Sequence, residues 1–359
     1  MPKTGLLLCN LGTPDSTKVS DVRRYLRQFL SDDRVLDMNR LGRWLLLNLI
    51  ILPFRPAKSA HAYEKIWTPR GSPLLFHGQD LTAAVARRLP DVSVKLAMRY
   101  GNPSTADALQ EMEKEGVERV VVFPLYPQYA ASSSGSALEE VMGELGRHWN
   151  VWPIHVVEPF YAHPAFVQAF AQVIQGTLQT FAADHLLFSF HGLPERHVEQ
   201  SDPTAAHCLK SSTCCDAPCA ANRACYRHHS FETARALGTA LGMGPDRWSV
   251  SFQSRLGRIP WIKPYTDEVL PALAKRGVKK LAVACPAFVA DCLETLEEIG
   301  MRAKEDFCAA GGEDLVLVPS LNVHPTWVDA VLQLASEASP WLQPAKALPV
   351  VGEGPTASV

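Results

Sequence analysis

One histidine, three carboxylates and a group of thiols carry most of the chemistry this sequence can offer. His191 follows the apolar run Leu186 to Phe190 and precedes Gly192. An imidazole at the end of a buried strand can accept a proton or bind a metal near neutral pH. Its plainer use is a hydrogen bond to loop backbone. Asp291, Glu294 and Glu298 stand at i, i+3 and i+7, so a helix over 290–301 would line them along one face. That pattern fits a solvated polar face. It fits equally a row of like charges that a passing proton or divalent cation relieves. Five of the nine cysteines fall within 208–225, as Cys208, Cys214, Cys215, Cys219 and Cys225, with His207, His228 and His229 flanking them. The spacing C-x5-C-C-x3-C-x5-C contains no zinc-finger C-x2-C pair. In a cytosolic protein, where disulfides are rare, such a density favours a metal or iron–sulfur site. Cys9, Cys285, Cys292 and Cys308 are scattered and read as small buried apolar residues.

These groups need elements to position them. Strand patterns occur at 5–10, 92–98, 118–123, 151–157, 185–190, 248–253, 279–284 and 314–318. Helical patterns lie between them, at 18–30, 103–115, 163–180, 229–241, 266–275, 290–301 and 325–336. In the first helix Val19, Val22, Leu26, Phe29 and Leu30 share a face. Strand, helix, strand at this spacing predicts parallel sheets with helices on both faces. The chain also repeats itself. Leu6 to Pro14 matches Leu186 to Pro194, Ser93 to Gly101 matches Ser249 to Gly257, and Gly116 to Val122 matches Gly277 to Val283. Three matches in one order predict two α/β halves built alike, 1–160 and 161–325, followed by a helix and tail at 326–359. The segment 200–228 reads as an insertion in the second half. Ligands of open α/β sheets bind beyond the carboxyl ends of strands, which places the loops after both repeats around a shared cleft. No Gly-x-Gly-x-x-Gly follows a strand and no Walker lysine motif occurs, so a nucleotide is not indicated. Aromatics and prolines in these loops suit a flat apolar ligand.

Composition closes other routes. The chain of 359 residues is 47% hydrophobic and 20% charged, with room for about two packed domains. A net charge of −2 gives no global attraction to nucleic acid. No apolar run reaches the roughly 20 residues of a membrane span, and Leu6-Leu7-Leu8 is too short for a signal-peptide core. A cytoplasmic location is expected. Residues 41–54, with Trp44, Leu46, Leu49, Ile50 and Phe54, fit a buried helix or an apolar lip, within about 41–76, that covers a hydrophobic ligand and touches a membrane surface.

The motifs Phe188 to Pro194, Gln253 to Gly257 with Pro260-Trp261, and Phe288 to Glu298 resemble those of ferrochelatases, over about residues 4–325. The resemblance implies two similar Rossmann-like domains of the class II chelatase kind. It also implies insertion of Fe2+ into a dicarboxylic porphyrin, protoporphyrin IX giving protohaem. Carried over residue by residue, it makes His191 and Glu294 catalytic, places His191, Glu294, Glu298 and Asp291 on the path of the substrate iron, and implies that the acidic positions follow a π-distorted helix. Leu11, Ser72, Tyr126, Trp261 and Phe288 become porphyrin contacts. Position 292 is Cys where many relatives have His, so a metal role there does not carry over. Some microbial members hold a [2Fe–2S] centre. The resemblance permits one here, with Cys208, Cys215, Cys219 and Cys225 as ligands and Cys214 as the alternative. It also allows peripheral membrane contact and a homodimer. Competing readings are a chelatase for another metal and tetrapyrrole, and a haem or iron–sulfur sensor.

Overall fold

A computed structural model describes residues 2–342 except Arg258. Among the described residues the strands form two parallel four-stranded sheets of the same order. The first holds β1 (Lys3–Thr13), β2 (Val92–Gly101), β3 (Val117–Pro124) and β4 (Ile154–Val156), in the order β2-β1-β3-β4. The second holds β5 (His185–His191), β6 (Trp248–Gln253), β7 (Lys280–Ala284) and β8 (Asp314–Leu317), in the order β6-β5-β7-β8. Both faces of each sheet are covered, so the central strands are apolar throughout rather than alternating. Leu6 and Leu8 point into one core, and Leu7 and Cys9 into another on the opposite face. Leu186, Phe188 and Phe190 enter the same core as Leu6 and Leu8, while Leu187 faces away. One continuous apolar core therefore joins the two sheets.

The registers fix how the halves correspond. Leu6 pairs with Val94 and Val121, while Leu186 pairs with Trp248 and Ala282. The first and third sequence repeats thus superpose as expected. The second is displaced by two residues, Met98 answering to Phe252. Both donate their backbone N–H across 2.7 Å to a cis-proline carbonyl, Pro103 and Pro264 respectively. A slip of two keeps every side chain on its face, so alternation alone could not detect it.

Helices α1 (Val19–Ser31), α2 (Arg40–Leu45), α3 (Leu52–Ile66) and α4 (Pro73–Arg88) fill the connection from β1 to β2. Next come α5 (Thr105–Lys114), α6 (Ser136–Leu145), α7 (Pro164–Thr180), α8 (Glu195–Gln200), α9 (Tyr226–Ala240), α10 (Thr266–Lys275), α11 (Lys304–Ala309) and α12 (Pro325–Ala338). Sequence patterning missed α4, α6 and α8. In α1 the buried face is Val22, Tyr25, Leu26 and Leu30, whereas Val19 is exposed, as a first-turn residue beyond the core can be. Helix α9 starts at Tyr226, earlier than expected, because the Cys225 thiol accepts from the His228 N–H and caps it. The strand expected at 151–157 shrinks to three residues. Within the expected tail, α12 packs against α7 and α4, and Arg88 meets Asp329 at 2.9 Å. Residues 343–359 of that tail lie outside the described residues.

The apolar run 41–54 becomes α2, a π-helical turn (Leu46–Ile51) and the start of α3. Leu47 and Leu52 turn inward, packing with Tyr25 and Tyr63. Phe54 is 76% exposed, and Leu41, Leu49 and Ile50 are each exposed by 60% or more. The segment thus presents apolar side chains to solvent and is not a buried core helix.

Candidate active site

His191 is the last residue of β5. Its Nδ1 lies 2.6 Å from the Gly192 carbonyl. A carbonyl only accepts, so Nδ1 carries the proton and Nε2 keeps a free lone pair. Gly192 admits no side chain without disturbance. A Cβ would stand 2.8 Å from the Gln253 carbonyl and 3.2 Å from the Trp261 ring. Trp261 is buried and held in place by its own hydrogen bonds. Its indole N–H donates to Leu256 O at 2.9 Å, and Tyr265 OH donates to the Trp261 carbonyl at 3.0 Å. Phe288 sits edge-on to His191, ring centres 6.3 Å apart.

Glu294 and Glu298 occupy a π-helix, Glu294–Ala303, the kind of distortion that the ferrochelatase resemblance implies, and it starts later than the helical pattern at 290–301. The buried Gln253 fixes its start, donating to Glu294 O at 2.8 Å and accepting from Ser189 Oγ at 2.7 Å. The expected row of three is divided. Asp291 precedes the helix and is buried, its carboxylate accepting from Asn322 Nδ2, Ser320 N and Thr295 Oγ1. It joins two loops, and three hydrogen bonds tie its carboxylate to the fold. Glu298 accepts from Ser254 N at 2.8 Å and Ser254 Oγ at 2.6 Å. Burial raises its pKa above the ordinary glutamate range, with Ser254, His191 and Arg302 opposing that shift and Glu294 adding to it. Glu294 faces the first half. Burial drives the Tyr25 and Tyr63 hydroxyls far upward, and the Glu294 charge beside them pushes further. Glu298 is thus the carboxylate in electrostatic reach of His191, and Glu294 the one that looks toward the lip.

From the first half, Leu11 packs against the lip core. Ser72 is buried at the start of α4 and accepts from Thr13 Oγ1 at 2.8 Å. The Tyr126 hydroxyl is buried with no hydrogen-bond partner among the described residues. Nothing in the motif Gln253 to Gly257 marks Ser254 as the residue that holds Glu298. Sequence reasoning also missed Arg55, a half-buried lip arginine with no ion pair or hydrogen bond among the described residues. Burial lowers the Arg55 pKa. Its only sequence signal is a lone cation between Phe54 and Pro56.

The cysteine segment has no helix or strand between Ser201 and Cys225. Asp202 holds it together, accepting from the His207 and Cys208 N–H groups, as does Asn222, donating to the Cys214 and Ala217 carbonyls. Cys208, Cys214, Cys215 and Cys225 are buried and linked in pairs. Cys214 and Cys215 sulfurs are 3.8 Å apart, and Cys225 touches both Cys208 and Cys215. Cys219, expected among the ligands, is exposed, its sulfur 3.5 Å from His207 Nε2. His229 has no nitrogen to offer. Its Nδ1 accepts from Tyr129 N at 3.2 Å and its Nε2 donates to Arg223 O at 2.8 Å. Burial pushes the Cys208 thiol up to about 11. The helix α9 N-terminus and Arg227, 3.2 Å from Cys215 Sγ, supply positive charge. Among the described residues no three His, Cys, Asp or Glu side chains converge on one ion position.

The fold is shared with the sirohydrochlorin chelatase SirB. A Bacillus subtilis SirB structure with Fe3+ superposes with a TM-score of 0.51 at 15% identity, covering 75% of this chain and 92% of that one. Sequence likeness is much closer elsewhere. A ferrochelatase of Azotobacter vinelandii is 51% identical, covering 93% of this chain and 98% of the relative. One from Pseudomonas putida is 48% identical, covering 94% and 100%. The ferrochelatase family profile matches residues 3–339, which include the His191 loop, the Trp261 loop and the carboxylate helix, and the chain belongs to the ferrochelatase family.

Proposed function

We infer that this protein is a ferrochelatase that inserts Fe2+ into a porphyrin, protoporphyrin IX giving protohaem, in haem biosynthesis. The observation that carries the reading is the family match across the whole site-bearing chain, at up to 51% identity among these relatives. Metallation requires a buckled macrocycle, loss of two pyrrole protons, and exchange of the iron's ligands for pyrrole nitrogens. Leu11, Tyr126, Trp261 and Phe288 supply apolar and aromatic surface to press the ring. His191 Nε2 is the free base suited to accept pyrrole protons. Glu298 and Glu294 form the polar route on the other task, one near His191 and one near the lip. Anaerobic incubation with Fe2+ and protoporphyrin tests the reading. Metalloporphyrin absorption growing faster than in a protein-free control supports it, and an unchanged porphyrin spectrum overturns it in favour of a sensor.

The cysteine segment is proposed to hold a [2Fe–2S] centre, with Cys208, Cys215 and Cys225 as ligands and Cys214 in preference to Cys219 as the fourth. The touching buried thiols and the adjacent positive charge support that set. When bound, such a centre supplies ligand bonds that order a segment too poor in large apolar residues for its own core. Anaerobically purified protein should contain about two irons and two inorganic sulfides per chain. One tightly bound zinc and no sulfide would overturn the centre and leave the chelatase intact.

The lip supports a peripheral membrane contact by a cytoplasmic protein. No helix among the described residues is long and apolar enough to cross a membrane, and the exposed Leu49, Ile50 and Phe54 offer a shallow docking face. A homodimer pairing two lips would hide the same surface. Co-flotation with liposomes separates the two arrangements.

A further inference from the structure

The lip is fastened to the second half at both of its ends. At its entry stands Asp37, just before α2. Its carboxylate receives the Arg196 guanidinium and accepts from Gln200 Nε2 at 3.5 Å. It also lies 3.1 Å from His197 Nε2, a close approach without hydrogen-bond alignment. All three partners lie on α8, which follows the His191 loop and abuts the Trp261 wall. Glu195 N donates to Pro260 O at 3.0 Å, and Ile262 N to Leu193 O at 2.9 Å. At the exit stands Lys65, near the end of α3. Its Nζ lies 3.3 Å from Glu297 Oε1, and the other Glu297 oxygen accepts from Arg302 Nε at 2.8 Å. Glu297 is buried on the π-helix beside Glu298, and Leu293 and Leu296 pack there against the lip core. The exposed apolar side chains of the lip lie between these two fastenings.

Neither Asp37 nor Glu297 has a part in the chemistry described above, and each holds a charged partner of the opposite half, Arg196 and Lys65 respectively, across a long sequence separation. A segment pinned at one end swings as an arm. Pinned at both ends it can only bow, and the π-helical turn Leu46–Ile51 lies between the pins. We propose that Asp37 and Glu297 are positioning residues, whose cross-half ion pairs set the height of the apolar lip over the porphyrin cleft. The inference rests on the chelatase reading for its substrate, but the pins themselves are read by exchange.

Hydrogen exchange over 40–52 and steady-state kinetics with protoporphyrin test it together. Asp37→Asn and Glu297→Gln should each speed amide exchange across 40–52, with β1 and β5 unchanged. Each should raise the porphyrin KM by about fivefold while kcat changes less than about twofold. Asp80→Asn, which breaks the Arg70 ion pair on α4, should do neither. Reversing the pair, Asp37→Arg with Arg196→Asp, should restore slow exchange. Should Glu297→Gln not fold, Lys65→Gln opens the same pin from its solvent-facing side. Unchanged exchange and KM in both variants would overturn the proposal. So would a fall in kcat at unchanged KM, which assigns the residues to chemistry or global stability. Failure of the chelatase reading would appear separately, as absence of metallation by the unaltered protein with exchange still responding to the pins.

Discussion

The first strands of the two halves correspond in register, but Leu11 occupies in β1, which continues to Thr13, the place that His191 occupies at the end of β5. Both are followed by glycine. At Gly12, with φ +113°, a Cβ would fall 1.7 Å from the Tyr100 carbonyl, tighter still than the 2.8 Å between a Cβ at Gly192 and the Gln253 carbonyl, so neither half admits a side chain at this place. The third strands also lead to π-helical turns in both halves. One contains Ala131 to Gly135, rich in serine, and the other begins with Glu294. The insertions after the first strands differ in the same sense. One is an apolar lip, and the other is a polar loop of thiols. Identical scaffolding thus carries an apolar surface on one side and proton or metal chemistry on the other. Strand order decides where groups stand, and the residues at strand ends decide what they do.

Exchanging the roles of the two halves should break this contrast most sharply at its paired positions. His191→Ala should lower turnover by at least ~10²-fold with the fold retained, whereas Leu11→Ala should act mainly on porphyrin KM. Comparable losses of kcat from both would erase the distinction. Next in size is an effect on stability where the halves meet. His229 stacks on Tyr161 at 3.8 Å, and burial depresses its pKa from 6.5 to about 4. The unfolded chain binds the proton more readily, so this contribution is present above pH 6.5 and lost as pH falls toward 4. It should amount to roughly 2–3 kcal/mol, and His229→Gln should flatten that limb in denaturant titrations. A smaller change is expected at Glu298. Its raised pKa puts the acid limb of kcat/KM at higher pH than an ordinary glutamate would, and activity falls as pH drops through it. Glu298→Gln should remove that limb and cost about tenfold at neutral pH. An unaltered pH profile would return Glu298 to a structural role held by Ser254. The smallest effect belongs to the lip. Ile50→Ser with Phe54→Ser should weaken liposome co-flotation and porphyrin capture together by about threefold, and a change in only one would separate membrane from substrate.

Much of this contrast was legible in the residues. Both sheets followed from apolar runs and spacing, and the repeat exposed the two halves before any coordinates. What stayed hidden has particular causes. The second repeat slipped by two because strand periodicity repeats at two. Asp291 stands apart from the carboxylate row because it precedes the π-helix and is held by Asn322 and Ser320, loop contacts that residue spacing does not encode. Cys214 displaced Cys219 among the touching thiols because Asp202 and Asn222 fold the loop through backbone contacts that no cysteine spacing encodes. Arg196 with Asp37, and Lys65 with Glu297, are brought together only by the packing of one half on the other.

The place shared by Leu11 and His191 has a consequence for ancestry. A planar tetrapyrrole has two faces. Two identical subunits related by a dyad must present each face with the same group, so a histidine offered to one would be offered to both. Joining the copies into a single polypeptide lifts that restriction. Each copy can then drift independently, one toward an inert surface and the other toward a base, without a second gene or a heteromeric assembly. Matching sheets with unlike residues at Leu11 and His191 are what such a joined pair would leave.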